Sequence, residues 1–124
     1  MRKLIGAFLV LVMLPHSAAL ADGDAELGKR QFAPCSACHT VEEGGPNKVG
    51  PNLFGIIGRE AAMREDFVYS EALKNSGVVW TDDNLRAWIA KPMDFIKGTK
   101  MPFGGYASED IQNNVIAYLK QATQ

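Results

Sequence analysis

Five consecutive residues, Cys35-Ser36-Ala37-Cys38-His39, set two thiols three positions apart and follow them directly with an imidazole. On one turn of helix the two sulfurs point the same way, and the histidine comes next to them. This C-x-x-C-H spacing suits covalent attachment of a haem: each thiol bonds one porphyrin vinyl group, and the imidazole offers a neutral nitrogen to the iron. Two other chemistries share the cysteine spacing. A redox-active dithiol follows a thioredoxin-like strand and has no need of the histidine. Half of a zinc site would be short of a fourth standard ligand, because beyond residue 21 the chain holds only these two cysteines and one histidine.

The elements that must position this motif follow a leader. Met1-Arg2-Lys3 precedes an uncharged apolar run from Leu4 to Leu14, eleven residues that are too few to span a bilayer. Ala19-Leu20-Ala21 then matches the small-x-small site of a secretory signal peptidase. The expectation is a signal peptide over 1–21, cleaved after Ala21, and one domain over 22–124; an uncleaved anchor is the alternative. Removing Arg2 and Lys3 leaves 11 basic against 14 acidic residues, a net charge of −3 that argues against nucleic acid as a partner. Export implies a periplasmic compartment, where Cys35 and Cys38 are free to pair unless a haem consumes both.

Asp22 or Asp24 caps a first helix through Phe32, which Pro34 ends just before the motif. From Glu42 to Gly58 five glycines and two prolines spell loop, long enough to wrap one face of a prosthetic group. A short helix is predicted over Ser70–Asn75, stopped by Gly77. Thr81 caps a better one, with Leu85, Trp88 and Ile89 on one face and an end near Lys91. Pro92 to Lys97 makes another turn or so, closed by Gly98, and Lys97 to Tyr106 is irregular. Ser108 caps the last helix, which lines up Ile111, Val115, Tyr118 and Leu119. No stretch alternates as a strand does, so the class is all-α, small and loop-rich.

An iron needs a second axial ligand, and with His39 the only histidine after the leader the methionines are Met63, Met93 and Met101. Met101 lies in a Gly- and Pro-flanked loop that can pass close to a flat cofactor. Met93, on a helix turn, is expected in the core, and Met63, among charges, outside it.

Taken together, Cys35-Ser36-Ala37-Cys38-His39-Thr40-Val41, Gly50-Pro51-Asn52-Leu53, Gly58-Arg59, Trp80, Gly98-Thr99-Lys100-Met101 and Ile116-Ala117-Tyr118-Leu119-Lys120 resemble the class I cytochromes c, single-haem electron carriers of mitochondria and bacteria. The resemblance covers essentially the whole chain after the leader. It implies three main helices with short helices and long loops around one haem c. Cys35 and Cys38 would bond that haem, His39 and Met101 would ligate its iron, and the Pro51 carbonyl would accept the other ring N–H of His39. Arg59, Tyr69, Trp80 and Thr99 match positions around the haem propionates, Phe103 an aromatic over the exposed edge, and Gly28 and Phe32 a first-helix face packed on Val115 and Tyr118. For each aromatic, plain core packing is the competing account.

Departures are also visible. Leu73 replaces an asparagine that commonly holds an internal water, and Trp88 replaces a tyrosine that commonly bonds the ligand sulfur. Of the usual docking lysines Lys48 and Lys100 remain, while Pro34 replaces another basic position. The resemblance implies a one-electron carrier, not an enzyme, that docks transiently as a monomer on donor and acceptor proteins such as membrane-bound redox complexes. The rivals are a haem c subunit of a larger oxidoreductase complex and a five-coordinate haem sensor or peroxidase. Intact mass spectrometry of the exported protein is expected to return a chain beginning at Asp22; a mass that retains residues 1–21 would contradict the cleavage.

Overall fold

The computed structural model describes residues 23–124; the leader and its cleavage site lie outside the described residues. Six helices run in order: α1 (Ala25–Gln31), α2 (Ala33–Ser36), α3 (Glu71–Lys74), α4 (Asp82–Ala90), α5 (Pro92–Phe95) and α6 (Glu109–Ala122). Among the described residues the only β pairing is an isolated antiparallel bridge between Glu60 and Val79. The all-α expectation therefore holds, with α1, α4 and α6 as the main helices.

The helix starts are where the side chains place them. Asp24 caps α1 by accepting from the Glu26 and Leu27 amides at 2.9 and 3.1 Å. Ser70, Thr81 and Ser108 do the same for α3, α4 and α6, each accepting from the amide three residues on. The chain differs from expectation at Pro34, which opens α2 instead of merely ending α1. Proline needs no amide partner in a first helical turn, so the backbone pivots at Phe32 and turns again straight into the cysteines.

A close crossing of α1 over α6 organises the core. A Cβ at Gly28 would lie 1.9 Å from the Asn114 carbonyl oxygen, so the two backbones nearly touch there. Asn114 reinforces the crossing, accepting from the Asp24 amide at 2.7 Å and donating to the Gln31 side chain at 3.1 Å. Phe32 packs on Tyr118 with ring centroids 5.2 Å apart, beside a fully buried Val115. Leu85 and Ile89 of α4 and Ile116 and Leu119 of α6 join them in the interior. Arg86 on α4 donates to the Asn113 side chain of α6 at 2.8 Å.

The connection from α2 to α3 is anchored at intervals. Gly55 donates to the Thr123 carbonyl at 2.7 Å, and Gly58 and Ala61 bond the Trp80 and Val78 carbonyls. Met93 corrects the sequence-based expectation: it is 51 % exposed. Pro92 and Ile96 are the buried residues at that turn, which leaves Met93 facing outward. Met63 is exposed as expected. Gly28→Ala tests the crossing, because in an open helix alanine would gain about 1 kcal/mol over glycine, whereas here the backbone clash should dominate. A net loss of roughly 2 kcal/mol in denaturant unfolding is expected.

Candidate functional site

The cysteine motif occupies α2 and the turn that follows it. The Cys38 and His39 amides both donate to the Cys35 carbonyl, at 3.0 and 2.9 Å, so the helical path continues just far enough to carry the imidazole past the thiols. Neither cysteine is in a disulfide, and both face one cavity of about 280 Å³, close to the lower end of ordinary ligand sites at about 300 Å³. Burial pushes the Cys35 thiol pKa up, against the smaller opposing effect of its contact with the Tyr106 hydroxyl.

His39 is fixed by its backbone surroundings. Its Nδ1 lies 2.7 Å from the Pro51 carbonyl oxygen. A carbonyl only accepts, so the proton sits on Nδ1 and the Nε2 lone pair is left for a metal. Burial lowers the imidazole pKa, the Pro51 bond opposes that, and nearby Lys48 adds to the lowering, so the neutral ring is favoured overall. Gly50 makes this arrangement possible. A Cβ there would fall 2.3 Å from Cε1 and 2.7 Å from Nδ1 of the ring. In the sequence Gly50 signals only a turn; its role as a floor for the imidazole depends on a contact across eleven residues. Asn52, next to Pro51, is buried and donates to Thr40 Oγ1 at 2.7 Å and the Glu42 carbonyl at 2.9 Å, which holds the Pro51 segment in place.

The residues that the resemblance assigns to a haem pocket line the same cavity: Pro51, Met101, Arg59, Tyr69, Trp80, Trp88, Thr99 and Phe103, with Leu73 beside them; Met93 and Lys48 do not. Trp80 and Trp88 are buried and pack on each other with centroids 5.4 Å apart, so both aromatics belong to the core and to the cavity wall at once. Tyr69 packs on Phe67, and Phe103 on Tyr106. Thr99 is buried, whereas Arg59 lies exposed at the rim and has no ion-pair partner among the described residues. Lys48 is exposed and donates to the Ser36 carbonyl at 2.8 Å, and Lys100 is exposed. In the sequence Tyr106 marks only the end of an irregular loop. Its hydroxyl lies 3.4 Å from the Cys35 sulfur and donates to the Gln31 carbonyl at 2.6 Å, contacts made across more than seventy residues.

The donor set fits a covalently held haem. Two unpaired thiols share an apolar cavity with an imidazole that has one nitrogen free and with two thioethers, those of Met101 and of the largely exposed Met63, and hydroxyl, indole and guanidinium groups also reach it. Among the described residues no cluster of three or more His, Cys, Asp or Glu could hold a bare metal ion, as a zinc centre would need.

Known proteins agree with this chemistry. The family model described as Cytochrome c matches residues 25–123. Cytochrome c2 of Blastochloris viridis is 43 % identical over 121 residues, covering 98 % of this chain and 94 % of its own length. Cytochrome c2 of Rhodospirillum rubrum is 42 % identical, covering 88 % of each chain. Among solved structures, cytochrome cH from Methylobacterium extorquens superposes with a TM-score of 0.75 at 42 % identity, over 80 % of this chain and 99 % of that one. The cavity, the cysteine pair that opens onto it and the relatives that match most of its length lead to one conclusion: this chain belongs to the cytochrome c family, electron carriers with a single covalently bound haem c.

Proposed function

We propose that His39, through Nε2, and Met101, through its sulfur, are the two axial ligands of a haem bonded to Cys35 and Cys38. The chain would then pass single electrons between a donor and an acceptor protein without acting as an enzyme. The observation that carries this is the 2.7 Å bond from His39 Nδ1 to the Pro51 carbonyl, which leaves Nε2 of a half-buried ring free beside the cavity that Met101 also lines. When bound, the haem supplies a reversible ferric–ferrous couple. Every other part of the task falls to side chains of this protein.

Pro51 holds the imidazole in one orientation and raises its basicity as a ligand. Met101 offers a soft thioether, and the apolar wall from Leu53, Ile56, Leu85 and Ile89 disfavours the more highly charged ferric state; both raise the potential. Arg59, Tyr69, Trp80 and Thr99 would receive the propionates, which need donors wherever they leave water. Trp88 would pack near the Met101 sulfur, and Phe103 would cover the edge through which electrons pass. With His39 and Met101 both on the iron, a substrate would have to displace one of them to coordinate, which favours a carrier over a five-coordinate sensor or peroxidase.

The partners are redox proteins, including membrane-bound complexes, met transiently at the haem edge by a monomer. A leader cleaved after Ala21 would deliver the protein to the periplasm. The first test is the optical spectrum of the purified protein, expected to show low-spin haem c with the weak long-wavelength methionine–iron band in the ferric form; high-spin haem would turn the assignment toward the five-coordinate reading. Met101→Ala is expected to lower the midpoint potential by on the order of 0.1 V or more, within the roughly 0.8 V that axial ligands command, and to admit external ligands. Gly50→Ala should displace the imidazole, cost roughly 2 kcal/mol in denaturant unfolding and raise the high-spin fraction of the spectrum.

A further inference from the structure

We propose that Tyr106 is the clamp that keeps the Met101 loop closed, a positioning residue for methionine ligation that acts through three separate helices. The inference rests on Met101 being the second ligand and asks what holds it there.

The segment 100–107 contains no helix and few bonds of its own, apart from the Phe103 amide donating to the Met101 carbonyl at 2.9 Å. Among the described residues, every hydrogen bond that leaves this segment for another part of the fold is made by Tyr106. Its amide donates to the Ile89 carbonyl of α4 at 2.8 Å. Its carbonyl accepts from the side chain of Gln112, buried on α6, at 2.6 Å. Its hydroxyl donates to the Gln31 carbonyl at the end of α1 at 2.6 Å and lies 3.4 Å from the Cys35 sulfur. Its ring meets Phe103 edge-on, with centroids 4.9 Å apart, so the fixed point is carried back to within two residues of Met101. Gly105 lets the backbone reach this position: its φ is +106°, and a Cβ there would lie 2.1 Å from the Ala90 carbonyl oxygen.

The clamp does not depend on the thiol. Addition of Cys35 across a haem vinyl group would place the sulfur on one carbon and its proton on the other with no net redox change, leaving a thioether with no proton to donate, whereas the Tyr106 O–H would keep its acceptor at Gln31. The clamp therefore works in the loaded protein, where opening of the loop would free the iron from Met101.

Imidazole titration of the ferric holoprotein reads that opening directly, because the added ligand binds only when methionine has left. Tyr106→Phe keeps the ring contact with Phe103 and removes only the hydroxyl. It is expected to bind imidazole about threefold to tenfold more tightly, the equilibrium worth of one lost hydrogen bond. Gln112→Leu, which removes the bond to the Tyr106 carbonyl, should shift affinity the same way and decides the matter if Tyr106→Phe does not fold. A methionine–iron band in the wild type with unchanged imidazole affinity in the variants overturns the clamp alone, even if unfolding midpoints fall. Absence of that band in the wild type overturns the Met101 assignment together with it.

Discussion

The rest of the fold depends on the near contact of two backbones where α1 crosses α6. With only a hydrogen at Gly28, the carbonyl of Asn114 comes within a distance that no side chain could share, and the two ends of the domain are locked together. Dispersion and apolar burial both increase as helices close up, and few side chains are available to do this work in a domain of this size. The crossing seats Phe32 against Tyr118 and Val115. Because Phe32 is the residue that caps the start of α2, the position of the cysteines follows from that packing.

The remaining walls are loops, and each is held by bonds to something rigid. The Pro51 segment is pinned by Asn52 to Thr40 and Glu42, and Gly55 is tied to the end of α6 through Thr123. The methionine-bearing segment is tied at Tyr106 to α1, α4 and α6. Irregular backbone next to a cofactor is tolerable when its polar groups have partners, and among the described residues no buried side-chain nitrogen or oxygen lacks one. A site that keeps the same geometry in both oxidation states suits electron transfer, since little has to move when the charge changes.

Charge has a secondary place in this structure. Among the described residues its ion pairs join exposed or half-exposed side chains, such as Lys74 with Glu71 and Lys91 with Asp94, where solvent screening leaves little net stabilisation. The burial of uncharged donors next to the cavity has more consequence. It lowers the His39 imidazole pKa and raises that of the Cys35 thiol, so both groups are held uncharged, and a neutral imidazole is the form that offers nitrogen to a metal.

Local chemistry was legible without coordinates. The C-x-x-C-H spacing names its cofactor because covalent geometry over five residues leaves few alternatives. Asp24, Ser70, Thr81 and Ser108 announce helix starts because a cap bonds an amide only two or three residues away. The irregularity of the Met101 loop follows from its own glycines and proline. Tertiary structure alone decided what depends on distant partners: that Pro34 opens a helix, that Met93 faces solvent because Pro92 and Ile96 take the core, that Gly50 is the floor under the His39 ring, and that Tyr106 reaches Gln31 and Cys35. A residue's type limits what it can bond, but which surface it meets is set by the way the helices pack, and that information is spread over the whole chain.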